Sequence, residues 1–256
     1  MDITNYMLAN YSTFIFVLAR TGAILMTAPI FSAFNIPMQV KLGLILLLAL
    51  LLTPLAPAVA APQTFTGIIM SLAGEVMIGA AVGLAIKFVF TGIEYAGQVA
   101  SFQMGIGMAS AYDPINSAQV TVLGKLMSIL TLLIFLTVNG HLMVIMALEK
   151  SFEVIPPYGF TLSGTLMDSL IIFSREIFIL GLKFSAPVVA ILIFVNVAMG
   201  IMARTVPQLN MFAIGFAVTI SVGFVMILIS MPVFEDAAIS VFDRMWQGVD
   251  NLLRVM

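Results

Sequence analysis

The chain has no cysteine in 256 residues, which excludes disulfides, thiolate nucleophiles and cysteine-held metals. A single histidine, His141, leaves almost no material for a histidine metal cluster. Charge is also scarce. Asp, Glu, Lys and Arg make up 9% of the chain, against about 25% in an ordinary soluble domain. With 62% hydrophobic residues and a mean hydropathy of +1.17, the chain cannot cover a water-facing surface, so it is an integral membrane protein. A net charge of −2 gives no basic patch to attract nucleic acid. The catalytic templates are missing too: no G-x-S-x-G, H-E-x-x-H, Walker loop or G-x-G-x-x-G occurs, and Gly105-Ile106-Gly107 lacks the rest of any phosphate fingerprint. Neither an enzyme nor a cofactor is expected. Asp113, Glu75 and His141 could be imagined as a proton relay, but nothing in the sequence brings them together.

What is present is oil in membrane-sized lengths. Crossing about 30 Å of hydrocarbon takes roughly 20 apolar residues in a helix. Six segments approach that length: Tyr11 to Phe31, Leu42 to Ala61, Gly67 to Phe90, Val120 to Leu148, Ile177 to Met202 and Met211 to Val233. They lack strict apolar–polar alternation, which argues for helices over a β-barrel. The expected fold class is all-α and polytopic. The N-terminal stretch has no Lys or Arg before Arg20, so it lacks the basic region of a cleavable signal, and the first segment is expected to be retained. In the tail, Ala238, Val241, Phe242, Met245, Trp246, Val249, Leu252 and Leu253 recur at helical spacing. That pattern fits an amphipathic interfacial or docking helix. Lys41, Lys87, Lys125 and Arg204 fall on alternate loops, which orients six spans with both termini outside.

Polar residues interrupt this oil at telling places. Arg20, Glu75, Lys125, Lys183 and Asn196 all lie inside apolar runs. A charge at the bilayer centre costs about 2.5–3.5 kcal/mol on insertion scales, so such groups face a cavity or another chain. Arg20 and Lys41 bracket one such segment. They read either as cations meeting a partner or pore, or as a snorkelling arginine with a loop lysine; the depth of Arg20 favours the partner, and Glu75 is grouped with them. Gly79 and Gly83, spaced Gly-x-x-x-Gly beside Glu75, permit close approach of a second helix. Prolines 29, 37, 54, 57, 62, 187 and 207 break or kink several elements. These features fit a subunit buried among others, and they equally fit a transporter.

Two stretches stand apart. Gly97 to Val120, GQVASFQMGIGMASAYDPINSAQV, is long, nearly uncharged and rich in Gly, Ser, Ala and Met. Irregular backbone at membrane depth is tolerated only inside protein or beside a water-filled cavity. A re-entrant or plugging loop is therefore expected over about 102–119, with Asp113-Pro114 setting a turn and Phe102, Met104, Met108 and Tyr112 as compliant contacts. An ordinary cytoplasmic loop is the alternative. The second stretch, MARTVPQLNMF, sets Arg204, Pro207, Gln208 and Asn210 between two apolar runs.

Taken in order, several pieces resemble the FliR family, the single-copy membrane subunit of the flagellar type III export gate, and its virulence-system relatives. They are Arg20-x-Gly22 with Ala28-Pro29-Ile30-Phe31-Ser32, Pro37 and Lys41; Phe102-Gln103-Met104-Gly105; Asn139-Gly140-His141 with Ser151-Phe152 and Pro156; and Arg204-x-x-Pro207-Gln208-x-Asn210-x-Phe212 running into Ile214-Gly215-Phe216. The PQLN stretch and short C-terminal tail resemble the flagellar branch. The resemblance implies assembly with FliP and FliQ homologues into a closed helical gate, with FlhB and FlhA homologues as further partners. It also implies lipid contact and unfolded exported proteins as substrates. The expected site is the bacterial inner membrane at the flagellar basal body. It divides the chain into a FliP-like part, 1–176, a FliQ-like hairpin, 177–234, and an amphipathic tail, 235–256. It makes 102–119 the plug of the closed gate, and it makes Gln208 and Asn210 part of a carboxamide ring at the cytoplasmic entrance. A stand-alone secondary transporter for a small solute is the competing function, for which an inverted repeat would be expected and none is evident.

Overall fold

The computed structural model describes residues 11–32, 36–57, 64–107, 121–160, 164–206 and 210–256. Its regular elements are eight helices: α1 (Tyr11–Thr27), α2 (Pro29–Ser32), α3 (Met38–Leu52), α4 (Phe65–Met104), α5 (Val122–Thr137), α6 (Gly140–Val154), α7 (Gly164–Thr205) and α8 (Met211–Val255). The protein is an all-α polytopic membrane protein. Runs of Leu, Ile, Ala and Met form the helices, and proline and threonine punctuate them. Pro29 has no N–H to continue α1, and the residue before it is pushed out of the helical region, so the chain restarts there as α2. The Thr121 side chain accepts a 3.1 Å hydrogen bond from the Gly124 N–H and caps α5.

Among the described residues three helices, α4, α7 and α8, are long and apolar enough to cross a membrane, and the bent pair α5–α6 makes a fourth if taken as one span. The six apolar segments expected from sequence therefore carry helices, but α1 and α3 reach only 17 and 15 residues. The segment Val120 to Leu148 is not one helix. Asn139 adopts a left-handed φ of 57°, and the chain turns by 70° between α5 and α6. A second correction concerns Gly97 to Val120. Its first eight residues continue α4 without a break to Met104, so the irregular stretch starts later than its composition implied. The amphipathic tail is not a separate element either, since α8 runs through it unbroken past Pro232.

The helices divide into two compact units: Met1–Phe88, Asn139–Ser174 and Phe242–Met256 form the first, and Val89–Val138 with Arg175–Val241 the second. This division cuts across the linear one. In the first unit α4 lies hard against α1. A Cβ added at Gly79 would sit 2.6 Å from both the Ala23 Cβ and the Arg20 carbonyl oxygen, and one at Gly83 would meet Thr27 at 1.7 Å. The tail of α8 buries Ala238, Val241, Phe242, Met245, Val249, Leu252 and Leu253, so its apolar stripe is covered by protein. In the second unit the aromatic pairs Phe90–Phe135, at 5.2 Å between ring centroids, and Phe184–Phe234, also at 5.2 Å, are edge-on contacts between helices.

Candidate functional site

Three places collect the polar chemistry of the chain. The first is built around Arg20, midway along α1 and fully buried. Its Nε donates to Glu75 Oε2 of α4 at 2.5 Å. Its Nη1 donates to the Ser151 carbonyl at 2.6 Å and the Ile155 carbonyl at 2.9 Å, both at the end of α6. The guanidinium also lies 4.3 Å from the Phe152 ring centroid. Glu75 Oε1 in turn accepts the backbone N–H of Tyr158 at 3.1 Å, where the chain takes a left-handed φ of 70°. One ion pair thus ties α1, α4, the end of α6 and the turn after it. The Ile155 carbonyl, just past the end of α6, gains a donor in the guanidinium, and the Ser151 carbonyl, which already accepts the Ile155 N–H at 3.1 Å, takes it as a second donor.

The sequence reading had set Arg20 and Glu75 against a partner chain. Both are instead enclosed within their own chain, with no exposed surface to offer. Burial is the reason: two opposite charges taken out of water must neutralise each other, and helices brought close by Gly79 and Gly83 put them within reach. Lys41 does not join them. It stays half-buried beside an apolar hollow of about 210 Å³ shared with Leu25, Met26 and Phe31. Glu75 is engaged on both oxygens, which removes it from the imagined relay with His141 and Asp113. Ser151, Phe152 and Tyr158 were not read as parts of a charge network. Pro156 enters only through the family resemblance, and the contact of Tyr158 with a residue 83 positions away leaves no trace in the sequence.

The second place is the end of α4. Met104 is fully buried, and its carbonyl accepts a hydrogen bond from Thr219 Oγ1 of α8 at 3.0 Å. Gly105 follows with φ 88°, and a Cβ there would lie 2.5 Å from the Phe216 ring. The Met104 side chain fills the space that Gly223 leaves open on α8. Phe102 points outward, 56% exposed, and its ring lies over Gly107. Of the other expected loop residues, Met108, Tyr112, Asp113 and Pro114 lie outside the described residues.

The third place is the tip between α7 and α8. Arg204 is exposed in the last turn of α7, where a cation complements the helix dipole. Asn210 is exposed too, and its carbonyl accepts the Ile214 N–H at 3.1 Å to start α8. Pro207 and Gln208 lie outside the described residues. No group of three or more metal-ligating side chains occurs among the described residues.

Residues 11–245 match the family described as bacterial export proteins, family 1. The chain is 33% identical to the flagellar biosynthetic protein FliR of Escherichia coli K12 over 236 residues, covering 92% of this chain and 90% of that one. It is 30% identical to FliR of Pectobacterium carotovorum subsp. carotovorum over 252 residues, 98% of this chain and 95% of the relative. With FliR of Bacillus subtilis strain 168 the identity is 29% over 258 residues and 98% of each chain. Matches of this length run through all three polar places, and the chain belongs to bacterial export proteins, family 1, together with the FliR proteins.

Proposed function

We propose that the chain is a structural and gating subunit of the protein-conducting export gate of the flagellar type III secretion system, needed for export of flagellar proteins and for flagellum assembly. The observation that carries this reading is a mismatch between oiliness and burial. In their most apolar stretches α7 and α8 have only 28% and 17% of residues buried, against 61% in α4, although all three are comparably hydrophobic. Asn196 and Lys183 are exposed on α7 within such surroundings. Lipid offers no hydrogen-bond partner to a carboxamide, whereas a neighbouring subunit does. The hairpin of α7 and α8 is the surface for FliQ and FliP homologues, with 177–234 its FliQ-like part and 1–176 the FliP-like part. FlhB and FlhA homologues are further partners, and the assembly sits in the bacterial inner membrane at the flagellar basal body. Lys41 is the cation left for a partner contact.

Within the gate, residues 102–119 are the plug, including Phe102, Met104, Met108, Tyr112, Asp113 and Pro114. Small and sulfur-containing side chains suit it, since many weak dispersion contacts seal against ions and still yield to a polypeptide. Arg204, Pro207, Gln208 and Asn210 belong to the entrance, where uncharged carboxamides can bind passing backbone without selecting sequence. The chain has no nucleotide-binding fingerprint, so another component supplies the energy. Two experiments test this. Affinity purification of the tagged chain from its native membrane should recover FliP and FliQ homologues in excess over it; a monomer or homodimer would instead support a stand-alone transporter. Deleting 107–117 should leave the complex intact and the membrane leaky to small ions, and a tight membrane would return the stretch to an ordinary loop.

A further inference from the structure

We infer that Phe216, Thr219 and Gly223, one face of α8, form a socket that holds the root of the proposed plug at Met104–Gly105, and that Thr219 is a positioning residue for the closed gate. The inference rests on the plug reading above. Three residues of α8, each more than a hundred positions away in sequence, converge on Met104 and Gly105 at the end of α4. A helix leaves its final carbonyls without intrahelical partners, and a buried one must find a donor elsewhere. Met104 is fully buried, and Thr219 Oγ1, 3.0 Å away, donates to its carbonyl oxygen.

That bond is a reversible hold. The same hydroxyl lies 3.0 Å from the Gly215 carbonyl and 3.2 Å from the Phe216 carbonyl of its own helix. A hydroxyl has one proton, so it satisfies one of three acceptors at a time. Turning back to α8 releases Met104 without leaving the hydroxyl unpaired. The Met104 carbonyl then gives up the Thr219 donor, which biases the resting state towards the held root.

Shape completes the socket through two missing side chains. A Cβ at Gly223 would fall 2.6 Å from Met104 Cγ and 2.8 Å from its Sδ, so the methionine occupies that space. Gly105 takes a left-handed φ of 88° directly over the Phe216 ring, where any Cβ would be 2.5 Å from a ring carbon. Phe102 to Gly107 are tied further by the Gly105 N–H to the Phe102 carbonyl at 3.0 Å and the Gly107 N–H to the Ser101 carbonyl at 3.1 Å. The start of the plug is therefore pinned to the hairpin arm, and motion of α8 reaches the loop through Met104 directly.

The test uses the full chain with its partners in flagellated cells lacking their own copy, measuring resting ion leak, motility and recovery of the complex. Thr219→Val keeps the shape and removes the proton; Thr219→Ser keeps the proton; Gly223→Leu fills the socket. The valine variant should raise resting leak about fivefold, the factor corresponding to one net hydrogen bond of about 1 kcal/mol. Gly223→Leu should raise it at least as much, Thr219→Ser should stay near the parent, and all three should yield normal amounts of complex. Tight valine and leucine variants beside a leaky 107–117 deletion would overturn the socket and leave the plug standing. A tight deletion would overturn both. Loss of the complex in Thr219→Val would make Thr219 a packing residue and overturn its positioning role.

Discussion

The first unit and the hairpin arms of the second, Arg175–Thr205 of α7 and Met211–Val241 of α8, are both built from apolar helices, yet they treat their surroundings in opposite ways. The first unit turns its charge inward: Arg20 and Glu75 have no exposed side-chain surface, and the guanidinium binds two carbonyls and a ring besides. The arms turn their oil outward, with Leu182, Phe194 and Leu228 each more than 60% exposed. Hydrophobicity alone therefore did not decide burial. The chain-internal polar network marks the difference, since close-approach glycines occur in both regions, Gly79 and Gly83 in the first unit and Gly181 and Gly223 on the arms. Among the described residues the arms show no buried ion pair of this kind, and much of their apolar surface stays exposed.

The sharpest way to break this contrast is to remove one member of the enclosed pair. Glu75→Leu strands a buried guanidinium, at a cost of about 3–5 kcal/mol. The purified chain should melt far lower in detergent and its level in cells should fall, before any question of assembly arises. The double variant Arg20→Leu with Glu75→Leu should recover part of that loss, but not all, because the Ile155 carbonyl and the Tyr158 N–H would lose their side-chain partners and the Ser151 carbonyl one of its two donors. Equal stability of single and double variants would show that the pair is not the centre of the unit.

Next in size is the contact between α1 and α4. Gly83→Val drives a side chain into Thr27, whose hydroxyl is already held by the Ala23 carbonyl at 2.6 Å. Overpacking of this kind costs about 1–3 kcal/mol, measurable as a drop in thermal midpoint, whereas Gly200→Val on α7, with nothing within 4 Å, should leave the isolated chain unchanged. An equal drop in both would mean that the two regions do not differ in packing as described.

The hairpin gives the complementary result. Leu228→Gln, at a position 72% exposed, should alter the stability of the isolated chain by no more than about 0.5 kcal/mol yet reduce co-purification with FliP and FliQ homologues. Unaltered recovery would assign that face to lipid.

The smallest effect concerns the tail. Lys150 of α6 and, secondarily, Arg254 hold the Asp250 carboxyl below its ordinary value of 3.8. A carboxylate depressed in the folded chain adds stability above its unfolded value, and that stability is lost as pH falls through the folded one. Asp250 is solvent-accessible, so the effect is slight and screened by salt. Asp250→Asn should melt marginally below the parent at neutral pH and low salt, and the difference should shrink as the pH falls below 3.8 and the carboxylate is protonated. A difference that persists in strong acid would mean that the contact is not ionic.

Much of this was legible before any coordinates. The membrane class, the helical content and the polar break at MARTVPQLNMF follow from composition and turn residues, which act over a few neighbouring positions. Gly79-x-x-x-Gly83 was readable as a close-approach face because its spacing stays on one side of a helix. The break at Asn139 was not, although Asn139-Gly140-His141 is a polar turn signal, because the apolar runs on either side of it read together as one long segment. The extent of α4 was also hidden: Gln, Gly and Ser from Gly97 onward look like a loop, but burial of Ala100, Ser101 and Met104 holds them helical.

Sequence by itself determined that the chain must live in a membrane, that it must be helical, and that Arg20 and Glu75 could not face lipid, because each of these follows from the local cost of exposing or burying a group. Tertiary structure alone decided which groups answer them. Arg20 could have met a partner chain, and whether Glu75, Ser151 and Ile155 reach it depends on distances between residues 55 to 135 positions apart. The same holds for Thr219 and Met104, 115 positions apart. Hydrogen bonds act over about 3 Å, and only the packing of helices brings such distant residues within that range.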